Sequence, residues 1–248
     1  MPAFDQAASA GVDAIECDVH LSKDGEVVVI HDATLDRTTD ATGPVSARTA
    51  HELSQVDAAY RFGAGQGYPH RGQGVGVPRL AEVLRRFEAM PCVIEIKGDR
   101  PDRAGRVLEV VRNAGAEARV IIGGFSLPVL AAVRALAPDI VTSASRPEVQ
   151  EAVRRAALRL APRRPAFRVF QMPVRIGRRP LLTPAFVRVV SRAGLPAHAW
   201  IVDDAGEMRE LLARGVTGLI SDRPDVAVAT VRAWIASQPT TSAFRDST

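Results

Sequence analysis

The chain has 248 residues, of which 46% are hydrophobic and 24% charged, a composition typical of a soluble globular protein. No apolar run reaches the roughly 18 residues that a membrane-spanning helix needs, and the N-terminal residues lack the basic and apolar regions of a signal peptide. These features argue against a membrane anchor. They favour a cytoplasmic protein in which Cys17 and Cys92 are reduced thiols.

The net charge of +4 and the isoelectric point of 9.7 are compatible with nucleic-acid binding. However, the basic residues are almost all arginine, the lysines being Lys23 and Lys97, as a GC-rich genome would produce. Arginines are densest between Arg146 and Arg179, where the sequence is typical of a polar helix face followed by a loop, and aromatic residues for base stacking are sparse there. We therefore expect no nucleic-acid partner, with an arginine-rich nucleic-acid binder as the alternative.

Strand-like and helix-like segments alternate along the chain, beginning with two short β-rich segments joined by an Asp-Gly turn. The predicted strands are 13–19, 26–32, 92–97, 119–126, 139–144, 167–172, 196–203 and 217–222. The predicted helices are 78–90, 102–116, 127–138, 146–160, 183–194, 204–215 and 225–236. The Gly-rich segment 63–76 is predicted to be a long loop. No linker marks a domain boundary, so we expect a single domain over 1–238 and a flexible C-terminal tail at 239–248.

Alternating β and α units predict an α/β protein with a mainly parallel sheet. Most predicted strands end in polar or charged residues, as in a TIM-type (β/α) barrel, where functional groups gather at the carboxyl ends of the strands. A doubly wound open sheet is the alternative. No Gly-x-Gly-x-x-Gly follows the first predicted strand, which weakens a dinucleotide-binding version of that fold.

Acidic residues recur at i and i+2 spacing on the predicted strands. Glu16 and Asp18 share one face of their strand, and Glu95 and Lys97 repeat the spacing in "IEIK". Carboxylates brought together would repel unless a cation bridges them, and oxygen ligands suit Mg²⁺ or Ca²⁺. A lysine can neutralise an anionic oxygen, and His31, at the end of its predicted strand, can act as a general acid or base. This combination suits phosphate ester chemistry.

The segment "AFDQAASAGVDAIECDVHLSKDGEVVVIHDATLDRTTDATG" resembles the glycerophosphodiester phosphodiesterases, as do "VPRLAEVL", "VIEIK", "GGFS" and "HAWIVDDAGEMRELLARGVTGLISDRP" in that order. The resemblance covers roughly residues 3–224. It implies a TIM-type barrel related to phospholipase C. It also implies a divalent metal, Mg²⁺ or Ca²⁺, and hydrolysis of small glycerophosphodiesters to glycerol phosphate and an alcohol that the sequence does not identify.

The resemblance also implies roles for individual residues. Glu16, Asp18 and Glu95 match the metal ligands of the family, His31 matches one of its two catalytic histidines, and Lys97 matches its phosphate contact. Phe125 and Trp200 would line the substrate pocket, with packing inside the barrel as the alternative. Arg37 matches a position where we expect a structural role.

The chain departs from the family pattern at its start. The family opens with a strand ending in His-Arg-Gly, which carries the first catalytic histidine, whereas this sequence begins just before the following helix. The His-Arg-Gly at 70–72 follows no predicted strand, and we interpret it as a coincidence. We expect a barrel that lacks its first strand, through a start codon placed too late or as a genuine variant, and weak or no activity of the chain as given. The remaining alternatives are a non-catalytic metal- or phosphodiester-binding barrel and another phospholipase-C-like phosphodiesterase.

Overall fold

A computed structural model of the protein describes residues 1–163 and 165–238, so the proposed tail at 239–248 lies outside the described residues. The strands are β1 (Ile15–Leu21), β2 (Val27–Val29), β3 (Cys92–Ile96), β4 (Val120–Gly123), β5 (Val141–Thr142), β6 (Phe170–Pro173), β7 (Arg175–Ile176), β8 (Arg179–Pro180), β9 (Ala197–Trp200) and β10 (Gly218–Leu219). The α-helices are α1 (Pro2–Ala10), α2 (Ala50–Gln55), α3 (Leu80–Arg86), α4 (Asp102–Asn113), α5 (Leu127–Leu136), α6 (Arg146–Ala157), α7 (Pro184–Arg192), α8 (Ala205–Ala213) and α9 (Pro224–Ser237). Short 3₁₀ helices occur at Val45–Ala47, Ala64–Gln66 and Glu117–Arg119.

Parallel pairing connects strands that come from alternating β and α units. One sheet has the order β2-β1-β3-β4-β5 and a second has the order β10-β9-β6. A parallel bridge between Ser143 and Val169 joins β5 to β6, which places seven parallel strands in the order β1-β3-β4-β5-β6-β9-β10. Helix α1 packs against α9 beside the two ends of this series, although no ladder joins β10 to β1 among residues 1–163 and 165–238. The α/β prediction with a mainly parallel sheet is confirmed.

The hydrophobic core lies between the strands and the helices. On β1, Cys17 and Val19 are buried in this layer, whereas Glu16 and Asp18 alternate with them and face the other side of the sheet. A second cluster, which includes Phe170 and residues of α6 and α7, fills the same layer beneath β6 and β9. Burying an aliphatic or aromatic side chain of this kind contributes about 1.5–3 kcal/mol. The core therefore fixes the strands so that their polar residues meet inside the barrel.

Several local elements differ from the sequence prediction, among them α2, which was not predicted, and two elements near the polar ends of the strands. The predicted strand at 26–32 is shorter, because β2 pairs antiparallel with β1 only as far as Val29, which leaves His31 just beyond the strand. A small antiparallel hairpin of β7 and β8 follows β6 and was not predicted, since each of its strands has two residues. Glycine at position 177 supplies the positive φ of 57° that its turn requires.

None of the helices in the described part of the chain combines the length and apolar character needed to cross a bilayer.

Candidate active site

Three carboxylates from two neighbouring strands meet at one place. The parallel register pairs Asp18 of β1 with Glu95 of β3, and Glu16 lies two residues before Asp18 on the same face. One oxygen from each side chain can be chosen so that the three oxygens lie within 4.8 Å of one another. The sequence prediction that these acids come together therefore follows from the strand register.

Lys97 is the cation that contacts this cluster. Its Nζ lies 2.7 Å from Oδ1 of Asp18 and 2.7 Å from Oε1 of Glu95. Burial alone would lower the pKa of Lys97, but its hydrogen bonds to the two carboxylates raise it above the ordinary value. Lys97 is therefore a stable positive charge inside the site.

The cluster still holds more negative charge than Lys97 can balance. Burial, reinforced by the charges of Asp18 and Glu95, raises the pKa of Glu16 to about 8. Burial also raises the pKa of Glu95, although the ion pair with Lys97 opposes this shift. Three half-buried carboxylates with oxygen-only donors form a donor set that fits a hard divalent cation such as Mg²⁺ or Ca²⁺.

His31 is held by a chain of charged groups that follows β2. Its Nδ1 donates a hydrogen bond to Oδ1 of Asp32 over 2.6 Å, and Arg37 binds both oxygens of the same carboxylate at 2.5 and 3.0 Å. These bonds, with Arg37 contributing most, hold the pKa of Asp32 well below its usual range. The expected structural role of Arg37 thus corresponds to a contact with Asp32.

His20 supports the same segment from β1. Its Nε2–H donates to the backbone carbonyl of His31 over 3.1 Å, and burial lowers its pKa below the ordinary value. Neither His20 nor Asp32 is among the site residues predicted from the sequence. The alternation of β1 could have indicated His20, because it lies two residues after Asp18 on the same face of the strand.

A cavity of about 810 Å³ connects these groups with the second half of the barrel. All seven residues predicted from the sequence line it: Glu16, Asp18, His31, Glu95, Lys97, Phe125 and Trp200. The rings of Phe125 and Trp200 meet edge to face, with their centroids 5.9 Å apart. Both aromatic side chains are therefore part of the cavity wall.

Two further polar residues of the cavity wall carry no recognisable sequence signal. Gln171 of β6 has a buried Nε2 atom without a hydrogen-bond partner among the described residues. The guanidinium of Arg146, at the start of α6, lies 5.2 Å from the centre of the Phe125 ring. Gln171 reaches the cavity through the place of β6 in the sheet, and Arg146 through the start of α6, where its backbone N–H donates to the carbonyl of Phe125.

Parallel strands surrounded by helices, with acids, a lysine and a histidine gathered at one cavity, define this protein as an α/β barrel with an enzyme-type site. Residues 1–226 match the Glycerophosphoryl diester phosphodiesterase family, and the chain belongs to that family. The resemblance recognised in the sequence is confirmed.

Individual relatives agree with this assignment. Over 235 residues the chain is 30% identical to the glycerophosphodiester phosphodiesterase of Caldanaerobacter subterraneus subsp. tengcongensis, with 93% of this chain and 90% of the relative covered. The crystal structure of a glycerophosphodiester phosphodiesterase from Agrobacterium tumefaciens is 28% identical, with a TM-score of 0.71 and coverage of 91% and 90%. An Oleispira antarctica phosphodiesterase, solved with its product sn-glycerol-3-phosphate, shares the fold at 24% identity, a TM-score of 0.73 and coverage of 92% and 88%. The fold is therefore that of the TIM-type barrels of this family.

Proposed function

We propose that the protein is a divalent-metal-dependent glycerophosphodiester phosphodiesterase built as a single barrel domain over residues 1–238. In this reaction water adds to the phosphorus, the bond from phosphorus to the alcohol oxygen breaks, and glycerol phosphate and the alcohol are released. The observation that carries the proposal is the convergence of Glu16, Asp18, Glu95, Lys97 and His31 on one cavity. Membership of the family and the named activity of its relatives support it.

In the proposed site, Glu16, Asp18 and Glu95 hold Mg²⁺ or Ca²⁺. The bound cation would supply a Lewis acid for the phosphate oxygens. Lys97 already lies between two of the carboxylates, so it contributes a second positive charge for an anionic phosphate oxygen. The strands β1 and β3 fix these side chains, so that little reorganisation is needed when the charge of the reacting phosphate changes.

His31 is the proposed proton-transfer group. Its Nδ1–H is engaged by Asp32, which leaves Nε2 as the ring nitrogen that takes or gives a proton at the substrate. Arg37 orients Asp32 through two hydrogen bonds, and Asp32 in turn orients the imidazole. Phe125 and Trp200 would contact the organic part of the substrate.

The test is an assay of sn-glycero-3-phosphodiester hydrolysis, measured as the release of glycerol phosphate. It is run in Mg²⁺, in Ca²⁺ and in chelator. We expect any turnover, however weak, to need a divalent cation and to fall strongly in Asp18→Asn. The matched control is Glu88→Gln, because Glu88 is an exposed acid that does not line the cavity. Cation-dependent thermal stabilisation without any turnover would instead support a non-catalytic binding barrel. Equal activity in chelator and in metal would refute the proposal.

A further inference from the structure

The hairpin of β7 and β8 stands out from the body of the barrel. Every residue in the range 175–180 is exposed, and Ile176 is 65% exposed. An isoleucine in this position adds nothing to the hydrophobic core. Its surface stays in contact with water until another apolar phase covers it.

Further apolar residues are exposed around the same opening. Phe125 and Ile201 line the cavity together with Ile176, and they are 41% and 53% exposed. A residue that lines the cavity and is also widely exposed lies at its mouth. Single exposed apolar residues are ordinary, but several around one opening indicate a surface that is covered in function.

Arginines accompany Ile176 on this side of the cavity. Arg178 and Arg179 lie in the hairpin, and Arg154 of α6 lines the cavity together with Arg179. All three are exposed, and none forms an ion pair with a carboxylate within residues 1–163 and 165–238. Arginines without such partners leave an excess of positive charge on this surface. The hairpin face is defined here as Arg154, Ile176, Arg178 and Arg179.

The acidic residues near the mouth do not cancel this charge. Glu207 is already paired with Arg175 at the base of the hairpin. Asp203, which follows Ile201, accepts hydrogen bonds from Oγ of Ser221 and from the backbone N–H of Asp222, both over 2.8 Å. The carboxylates among the described residues that line the cavity are confined to the acidic cluster. The hairpin face is therefore both cationic and apolar.

We propose that the hairpin face docks on the surface of an anionic lipid bilayer. Ile176 enters the boundary between head groups and acyl chains, and Arg154, Arg178 and Arg179 contact the phosphates of the head groups. Proteins that lie on a bilayer combine buried apolar area with the attraction of basic residues to anionic lipid, and they need no membrane-spanning helix. A nucleic acid fits this surface less well, because the hairpin offers an isoleucine and no aromatic ring on which a base could stack. The acidic cluster takes no part in the contact, so docking is separable from turnover.

Flotation of the protein with lipid vesicles tests the inference. The vesicles contain phosphatidylcholine alone or equal parts of phosphatidylcholine and phosphatidylglycerol. EDTA is present, so that no divalent cation links lipid phosphate to the acidic cluster. At about 0.1 M salt, where charges act over about 10 Å, we expect the protein to float with the vesicles that contain phosphatidylglycerol and to stay behind with phosphatidylcholine alone. Equal recovery with both kinds of vesicle, or recovery with neither, overturns the inference.

Two double variants of the same net charge locate the contact. Arg178→Gln/Arg179→Gln neutralises the hairpin, whereas Arg188→Gln/Arg192→Gln neutralises two exposed arginines of α7 that do not line the cavity. We expect the hairpin variant to lose about fivefold in vesicle partitioning for each arginine removed, and the α7 variant to change far less. Equal losses in the two variants would mean that net charge alone drives binding, which overturns the inference.

Two isoleucine variants test the apolar part of the contact. Ile176 and Ile235 of α9 are both 65% exposed, but of the two only Ile176 lines the cavity. We expect Ile176→Asn to lower vesicle partitioning about tenfold, and Ile235→Asn to leave it unchanged. Equal partitioning of both variants and the unmodified protein overturns the inference. Substitutions at such exposed positions change stability little, and a urea titration of each variant checks this.

Retention on immobilised double-stranded DNA in the same buffer separates a bilayer from a nucleic acid. We expect weak retention that follows net charge and is therefore equal in the two double variants. Strong retention that falls in Arg178→Gln/Arg179→Gln but not in Arg188→Gln/Arg192→Gln would assign the hairpin face to a nucleic acid and overturn the inference.

Discussion

Replacing Lys97 with methionine tests how the acidic cluster is held together. The substitution keeps an unbranched side chain but removes the charge that contacts Asp18 and Glu95 at 2.7 Å each. The side chains of Lys97, Asp18 and Glu95 are only 15–19% exposed, so water screens their charges weakly. In the Lys97→Met variant, the carboxylates of the cluster would face one another without a neighbouring cation from the chain.

The size of the effect follows from these contacts. Breaking a buried ion pair by removing one partner typically costs about 3–5 kcal/mol. Because the side chains retain some exposure, we expect the lower end, a loss of about 3 kcal/mol in the free energy of unfolding in chelator. A divalent cation restores positive charge to the cluster, and a ligand at 100 times its Kd stabilises a protein by about 2.7 kcal/mol. In the unmodified protein Lys97 and a cation would compete for the same oxygens, so the variant should bind Mg²⁺ more tightly and gain more stability from it. The difference in the free energy of unfolding between the two proteins should therefore narrow in Mg²⁺.

Urea titrations monitored by circular dichroism measure the loss of stability in EDTA and the smaller loss in Mg²⁺. Lys23→Met is the matched control, since Lys23 is the other lysine of the chain and lies exposed in the turn between β1 and β2. We expect that control to change stability by less than about 0.5 kcal/mol in either buffer. If Lys97→Met is as stable as Lys23→Met in EDTA, the lysine does not hold the carboxylates together and the electrostatic reasoning is wrong.

Three further substitutions follow from the same geometry. His31→Gln should lower kcat by about 10²–10⁴ while the protein is still stabilised by a divalent cation. If the variant lost turnover and cation-induced stabilisation together, His31 would instead support the fold. Asp32→Asn keeps an oxygen that can accept from Nδ1–H of His31, but it removes the negative charge and one of the two oxygens that Arg37 binds. We therefore expect kcat to fall, though less than in His31→Gln, and an unchanged kcat would contradict the orienting role. Arg134→Met removes the half-buried partner of Glu148 and should cost about 3 kcal/mol at pH 7. Burial alone would raise the pKa of Glu148, but bonds from Arg134 and Ser145 lower it below the ordinary value. The pair therefore stabilises the fold above the unfolded pKa of about 4.3. That contribution is lost as the pH falls through the lower pKa of Glu148 in the folded state. The free energies of unfolding of the unmodified protein and of Arg134→Met, measured by urea titration, should therefore converge in acid.

Much of the acidic cluster could be predicted because strand geometry is local. Alternation along β1 places Glu16 and Asp18 on one face, and the same spacing places Glu95 and Lys97 together. The register that sets Asp18 opposite Glu95 is not local, since it depends on how two strands about 75 residues apart pair. The family resemblance supplied that long-range information, which spacing alone does not contain.

Other parts of the site depend on packing that short patterns do not encode. The hairpin of β7 and β8 has too few residues for alternation to be detected, yet it brings Ile176 and Arg179 to the cavity. The contact of Arg146 with Phe125 joins residues of different elements, and the bond from His20 reaches a backbone carbonyl. Each of these contacts depends on how helices and strands far apart in the sequence pack together. Local sequence patterns carry no information on that packing.

The groups that line the cavity come from different parts of the chain. The carboxylates, Lys97 and His31 lie on or just after β1, β3 and β2, whereas Val149, Val153 and Ile176 come from α6 and β7.

A buried network attaches α6 firmly to the barrel. Arg134 of α5 binds both oxygens of Glu148 and donates to the Ser143 carbonyl, and Ser145 caps the same helix through Glu148. Substitutions of Val149 or Val153, which line the cavity from α6, should therefore change which substrate is preferred while leaving the carboxylates of β1 and β3 in place. Changes on β1 and β3 should instead reduce turnover of every substrate, because all of them present the same phosphodiester to the acidic cluster.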